Sequence, residues 1–293
     1  NVILFIGDGM GISTITAARI YAGQQKGLDG ESYQLAMEKL PYSAFSKTYT
    51  HDSQVADSAP TAVAMTTGVK SYNGSLGVTQ AVNIKDCATA KGNGTTSLWE
   101  IAEDAGMATG IISTARITHA TPAATYAETT ERDWESAKDV SAAGKAARCA
   151  DIASQMISWQ AAHGNGFEVI LGGGRTNFLP NTVADPEYAA QKGARHDGRN
   201  LMDEWKAAAP NRTAVIDRPG FNAFNWSSDG QIFGLFEPSH MQYEYDRAKD
   251  PAGEPSLSEM TAKSIDILAN NKKGYVLMVE AGRIDHAHHE GNA

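Results

Sequence analysis

The chain is 293 residues long, enough for one large domain with a substantial core. Its 42% apolar and 20% charged residues are those of an ordinary globular protein. A net charge of −9 argues against general nucleic-acid binding, yet leaves room for a local positive pocket that holds an anion.

Taken in chain order, strand-like runs alternate with helical patterns. "NVILFIGDG" (1–9) reads as a strand ending in a glycine turn, and "STITAARIYAGQQ" (13–25) as a helix. The first residue already has strand character, so the chain is expected to be trimmed at its start, with any signal peptide in the missing part. "APTAVAMTTG" (59–68) and "SLWEIAEDAG" (97–106) read as helices, "MATGIIST" (107–114) as a strand. "SAAGKAARCADIASQMISWQAA" (141–162) is helix-compatible throughout, and "FEVILGGG" (167–174) is a strand. The region 180–255, rich in Pro, Asn, Asp and Gly, reads as an irregular surface insertion, although "GQIFGLF" (230–236) within it has strand character. "SLSEMTAKSIDILANN" (256–271) opens with Ser256 and Glu259, a capping box, and "GYVLMVEAG" (274–282) is a final strand. Strands apolar throughout, alternating with helices, predict a mostly parallel sheet covered on both faces. No apolar run approaches the roughly 20 residues that cross a bilayer.

In such sheets the ligand site lies at the carboxyl ends of the strands. Asp8 follows the first strand between glycines, where the main chain can come close to ions; the spacing 7, 9, 11 lacks the G-x-G-x-x-G of a dinucleotide turn. Thr118, His119 and Thr121 follow "GIIST". Glu280 ends the last strand, and Asp285, His286, His288 and His289 crowd the ten residues after it. Asp285 and His289 are spaced i, i+4, so on a helix they share a face and can hold one metal. Imidazole with carboxylate suits zinc, and Glu280 suits a hard ion such as magnesium. The bland alternative is a polar loop of solvated histidines. Ser58 follows Asp57 at an apparent helix start with Pro60 in the first turn. It is either a plain cap or a nucleophile at an anion-binding helix end. Arg132 is either a surface residue or a bidentate phosphate clamp. Cys87 and Cys149 lack any C-x-x-C spacing, and composition leaves two free thiols or one disulfide equally open.

Together "NVILFIGDGMG", "DSAPTA", "THATPAATYAETTERDW" and "VEAGRIDHAHHEGN" resemble the signatures of the alkaline phosphatase family, in the same order and at compatible distances. "CATAKGN", "RCADIASQ", "VILGGGR" and "GLFEPSHMQYE" resemble the branch that includes animal enzymes, and His at both 119 and 286 resembles its animal-type and marine bacterial members. The resemblance implies an α/β fold and hydrolysis of phosphate monoesters, with inorganic phosphate as product and inhibitor. It implies a phosphoserine intermediate on Ser58, Arg132 binding phosphate, and Asp57 orienting Arg132. Asp8 would bridge the second zinc and a magnesium ion, with Ser58 on that zinc. Thr121 and Glu280 would complete the magnesium ligands, and Asp285 and His289 would hold the first zinc. His119 and His286 would stand beside the metals and the phosphate. A calcium ion would sit on Glu187, the Phe236 carbonyl, Glu237 and Glu254, the last standing where the family has Asp. Cys87 and Cys149 would pair, which implies a periplasmic or secreted protein, and a homodimer is expected. The family has further zinc ligands downstream of Ala293, so residues 1–293 are expected to be an incomplete catalytic domain that is inactive alone or only binds metal and phosphate. A sulfatase relative would need an Arg that "DSAPTA" lacks, and phosphodiesterase relatives usually carry a Thr nucleophile without the Arg132 clamp.

Overall fold

The computed structural model describes residues 1–291, with Asp229 described by its main chain alone. Among the described residues, six strands form one sheet: β1 (Val2–Gly7), β2 (Ala108–Arg116), β3 (Val169–Gly173), β4 (Arg212–Val215), β5 (Gln231–Leu235) and β6 (Tyr275–Ala281). Their order is β1-β6-β2-β3-β5-β4, and every pairing is parallel. The first helices are α1 (Ile12–Gln24), α2 (Ser58–Thr67), α3 (Leu98–Asp104) and α4 (Ala120–Ala123). Next come α5 (Ala142–Ala146), α6 (Ile152–Ala162), α7 (Arg175–Phe178) and α8 (Leu201–Ala207). The last are α9 (Arg218–Ala223), α10 (Trp226–Asp229), α11 (Leu257–Leu268) and α12 (Arg283–His289).

The interior strands explain their unbroken apolar sequence. In β6, Val276 and Met278 face one core, while Tyr275, Leu277 and Val279 face another on the opposite side of the sheet. Side chains alternate across a strand, so two buried faces require apolar residues at every position. The capping box holds α11 as expected: Glu259 N donates to Ser256 Oγ at 3.2 Å, and Ser256 N to Glu259 Oε2 at 2.8 Å.

Two elements differ from the sequence reading. The helical stretch 141–162 is broken into α5 and α6. Arg148 takes a left-handed φ of 61°, Cys149 is tied to Cys87 in a disulfide, and Asp151 recaps the chain by accepting from Ser154 N at 3.0 Å. In an entropic model, closing a loop of 62 residues stabilises a fold by about 4 kcal/mol, enough to override weak helix propensity there. The span 180–255 also contributes more to the sheet than its composition suggests. Edge strand β4 joins β5, with α8 packed against it. Among the described residues, no helix is long and apolar enough to cross a membrane.

At the amino end of the sheet Glu103, 1% exposed, accepts from Thr109 Oγ1 at 2.5 Å, while Glu168 accepts from Thr109 N at 2.7 Å. Burial, then the neighbouring Glu168, pushes the Glu103 carboxyl up to about 8 from 4.5. A folded value above the unfolded one means stability fully present below about 4.5 and lost as pH rises through about 8. Glu103→Gln should therefore melt near the parent temperature at pH 5 and above it at pH 9. Equal differences at both pH values in thermal unfolding would show that Glu103 does not titrate there.

Candidate active site

The site lies at the carboxyl edge of β1, β6 and β2. Parallel register sets Ile6 beside Glu280 and Glu280 beside Ser113, so one carboxylate and one hydroxyl share a level at the strand ends, with Asp8 just beyond. Glu280 is fully buried and accepts a hydrogen bond from Ser113 Oγ. Burial first, then the charge of Asp8, pushes its carboxyl up to about 7 despite the Ser113 and Thr121 hydroxyls, which act in the opposite direction. Burial, then Asp285, pushes Asp8 up to about 6.

Gly9 has φ +61° and sits so close to α12 that a Cβ there would lie 2.6 Å from Asp285 Oδ1. Glycine thus lets the Asp8 turn meet the helix that carries Asp285 and His289. On α12 those two side chains share a face as the i, i+4 spacing predicts, with His289 Nε2 3.3 Å from Asp285 Oδ2.

Asp57 caps α2 by accepting from Ala59 N at 2.8 Å, which fixes Ser58 as the first residue of the helix. Buried Ala59, Ala62 and Val63 anchor α2 in the core, and the Thr66 hydroxyl donates to Ala124 O at 3.0 Å. Arg132 reaches the same point. Its Nη1 donates to Ser58 Oγ at 3.0 Å, and that nitrogen lies 3.8 Å from Asp57 Oδ2. Its Nη2 lies 3.1 Å from His119 Nε2. A cleft of about 1150 Å³ opens over these groups, lined by Asp8, Asp57, Ser58, Thr121, Arg132 and Asp285 among others.

Asp8, His119 and Glu280 each bring one ligand atom within 4.8 Å of the others. Asp8 Oδ2, Glu280 Oε1 and His119 Nδ1 are buried and have no protein partner. Buried polar atoms without partners are costly, and like charges this close push each other's protonation up. A divalent ion relieves both, so the residues present fit one. Burial, then Arg132, holds His119 far below its usual range, at about 3. It is therefore a neutral imidazole, the form that can ligate. Its nitrogen makes the cluster less strictly oxygen-lined than Asp8, Thr121 and Glu280 would be. Burial, then Arg283, lowers His286 as well, and its ring centroid lies 5.6 Å from that of His119.

The second expected cation site is partly assembled. Glu187 and Glu237 meet, but the third acid within 4.8 Å is Asp250, which sequence reasoning missed. Glu254 lies behind them, 1% exposed, accepting from Gln242 N at 3.0 Å with Oε2 unpartnered. Phe236 is fully buried at the end of β5. Burial, before the neighbouring carboxyls, pushes Glu237 up to about 7 and Glu254 to about 8. Ser113 was also missed, because a serine inside an apolar strand carries no signal of its own. Its place opposite Glu280 comes from strand register.

The edge of this parallel α/β sheet thus gathers a serine on a helix start, an arginine on that serine and, behind them, two carboxylates that each keep one buried oxygen without a partner. The alkaline phosphatase family model matches residues 1–293, and the chain belongs to that family. The tissue-nonspecific alkaline phosphatase of Felis catus is 44% identical over 305 residues, covering 100% of this chain and 56% of the relative. The alkaline phosphatase of Gadus morhua is 44% identical over 296 residues, with coverages of 99% and 61%. The chain thus spans little more than half the length of these curated relatives. Among solved structures, the alkaline phosphatase of Thermus thermophilus superposes with a TM-score of 0.75 at 30% identity, covering 100% of this chain and 51% of its own. The cold-active enzyme of a psychrophilic Shewanella superposes with a TM-score of 0.71 at 27% identity, with coverages of 99% and 58%.

Proposed function

We propose that the protein hydrolyses phosphate monoesters by way of a phosphoserine on Ser58. The observation that carries this is the contact of Arg132 Nη1 with Ser58 Oγ at the capped start of α2, beside the unpartnered oxygens Asp8 Oδ2 and Glu280 Oε1. Ser58 Oγ attacks phosphorus in line while the ester oxygen departs and takes up a proton as the alcohol. Water then displaces Ser58 and inorganic phosphate leaves. Arg132 donates to the phosphoryl oxygens in both steps, and the α2 N-terminus adds partial positive charge. Asp57 holds the helix start and faces Arg132, so one carboxylate aligns nucleophile and clamp. Asp8, Asp285 and His289, with Ser58, would hold zinc; Asp8, Thr121 and Glu280, with His119 adjacent, would hold magnesium. Such ions would neutralise charge on the attacking and leaving oxygens when bound.

The disulfide supports an exported, periplasmic or secreted location, and the resemblance to the family supports a homodimer. The test is hydrolysis by the complete gene product, loaded with zinc and magnesium, of matched aryl phosphate, aryl phosphodiester and aryl sulfate substrates. The monoester should be preferred and a chelator should abolish turnover. Preference for the diester or the sulfate would overturn the assignment.

The acids at Glu187, Glu237 and Glu254, with the Phe236 carbonyl and the added Asp250, are read as a structural calcium site. All-oxygen ligation suits that ion, and Glu254 Oε2 and Asp250 Oδ2 are both buried without partners. Calcium should raise the melting temperature of the zinc- and magnesium-loaded protein, and Glu237→Gln should remove the rise. No rise in the parent, or the same rise in the variant, would reduce these acids to an ordinary polar cluster.

A further inference from the structure

We infer that Glu135 is a positioning residue whose carboxylate locks the segment bearing Arg132 against the segment bearing His119 and Thr121, and so sets the phosphate clamp. The inference rests on the phosphatase reading above and deepens it. Glu135 is three residues beyond Arg132, yet it does not line the cleft. Its side chain is 13% exposed and accepts four hydrogen bonds, as many as a carboxylate ordinarily takes. Arg116 makes a fork to it, Nε to Oε2 at 2.8 Å and Nη2 to Oε1 at 2.5 Å. Thr118 Oγ1 donates to Oε2 at 2.6 Å, and Asn177 Nδ2 does so at 3.0 Å. Asn177 Nδ2 also reaches Thr118 Oγ1 at 2.8 Å, which closes the ring.

The donors and the carboxylate belong to different pieces of chain. Arg116 ends β2, and Thr118, two residues on, leads directly into His119 and Thr121. Glu135 ends the loop that carries Arg132, whose main chain is pinned elsewhere. Arg132 N donates to Gly74 O at 2.7 Å, Ile152 N to Trp134 O at 2.9 Å, and Ala153 N to Glu135 O at 3.1 Å. Main-chain bonds thus tie that loop to Gly74 and α6. The Glu135 side chain ties it to the end of β2. On the far side, Arg116 Nη1 lies 2.6 Å from His240 Nε2, and Arg116 N donates to His240 Nδ1 at 3.2 Å, so Arg116 is itself held in place.

The clamp depends on that register. Arg132 must lie 3.0 Å from Ser58 Oγ and 3.1 Å from His119 Nε2 at once, and sites of this kind lose function when displaced by about half an ångström. Burial alone would raise the Glu135 carboxyl, but the Arg116 fork and the Thr118 hydroxyl outweigh it and hold the group below its usual range. The lock is therefore charged and charge-assisted, the strong kind of hydrogen bond.

Glu135→Gln keeps the shape, sets an amide N–H against the donor fork, and tests the lock. In the complete metal-loaded protein it should weaken binding of inorganic phosphate and lower kcat/KM for an aryl phosphate by about 10–100-fold each, the usual cost of losing an outer-shell partner. Labelled phosphate should still be trapped on Ser58, and Glu135→Asp should recover part of the loss. Thr118→Val, which removes one donor and is more certain to fold, should move phosphate affinity in the same direction by a smaller factor. If the parent hydrolyses the ester and binds phosphate while both Glu135→Gln and Thr118→Val match it, with only melting temperature changed, Glu135 is merely structural and this inference falls alone. If the parent neither hydrolyses the ester nor binds phosphate, the phosphatase reading falls and takes this inference with it.

Discussion

Ser58→Ala is expected to lower kcat for phosphate-monoester hydrolysis by at least about a thousandfold, and to abolish labelled phosphate on the protein after an acid quench. The substitution removes one oxygen and little else. Asp57, not Ser58, caps α2, and the buried face of the helix is made by Ala59, Ala62, Val63 and Thr66. The melting temperature should therefore stay close to that of the parent, and the loss would belong to chemistry. Arg132 would keep its position beside Asp57, 3.8 Å away, so inorganic phosphate should still bind. The check is an acid quench of the parent with labelled substrate, followed by peptide mapping. A label on any residue other than Ser58, or a label that survives in Ser58→Ala, would remove Ser58 from the mechanism.

The strands were legible because each interior strand must be apolar on both faces, and "VILFIG", "GIIST", "VILGG" and "YVLMVEA" are. β4 was not, because "RTAV" is four residues on a sheet edge, where three positions remain partly exposed and no apolar run is needed. The break between α5 and α6 was hidden for a different reason. Ala-rich sequence favours continuing the helix, and the left-handed Arg148, the new cap at Asp151 and the pairing of Cys149 with Cys87, distant in sequence, interrupt it. At the site, Asp8, Glu280, Asp285 and His289 were visible because they crowd strand ends. Ser58 and Arg132 were ambiguous until the family signatures were taken together, since a D-S pair and a lone Arg are ordinary. Ser113, Glu135 and Asp250 were invisible. Each becomes significant only through a partner well separated in sequence: Glu280, Arg116 and the Glu187–Glu237 pair.

Arg132→Ala is expected to lower kcat/KM by about 2–4 kcal/mol in barrier terms, roughly 30- to 900-fold, and to weaken inhibition by inorganic phosphate. The guanidinium presents Nη1 toward Ser58 Oγ at 3.0 Å and Nη2 toward His119 Nε2 at 3.1 Å. Both are donors at the mouth of a cleft where a phosphoryl group bound to Ser58 would place its oxygens. Charge that spreads over those oxygens in the transition state is met by donors already in place, so the loss should fall on kcat as well as on KM. Arg132→Lys separates charge from geometry. It restores a cation without the planar fork, and Lys is a point charge where a two-pronged donor is needed. It should recover part of the phosphate affinity and less of kcat. The alanine variant also leaves His119 Nε2 without its donor and removes the charge that, after burial, does most to hold that imidazole neutral. The pH profile of the residual activity should therefore shift on its acid side, because His119 becomes easier to protonate. Phosphate inhibition and pH–rate profiles of parent, alanine and lysine variants decide the matter. Unchanged phosphate inhibition in Arg132→Ala would show that the contact with Ser58 holds no phosphate and that Arg132 serves only to hold Asp57.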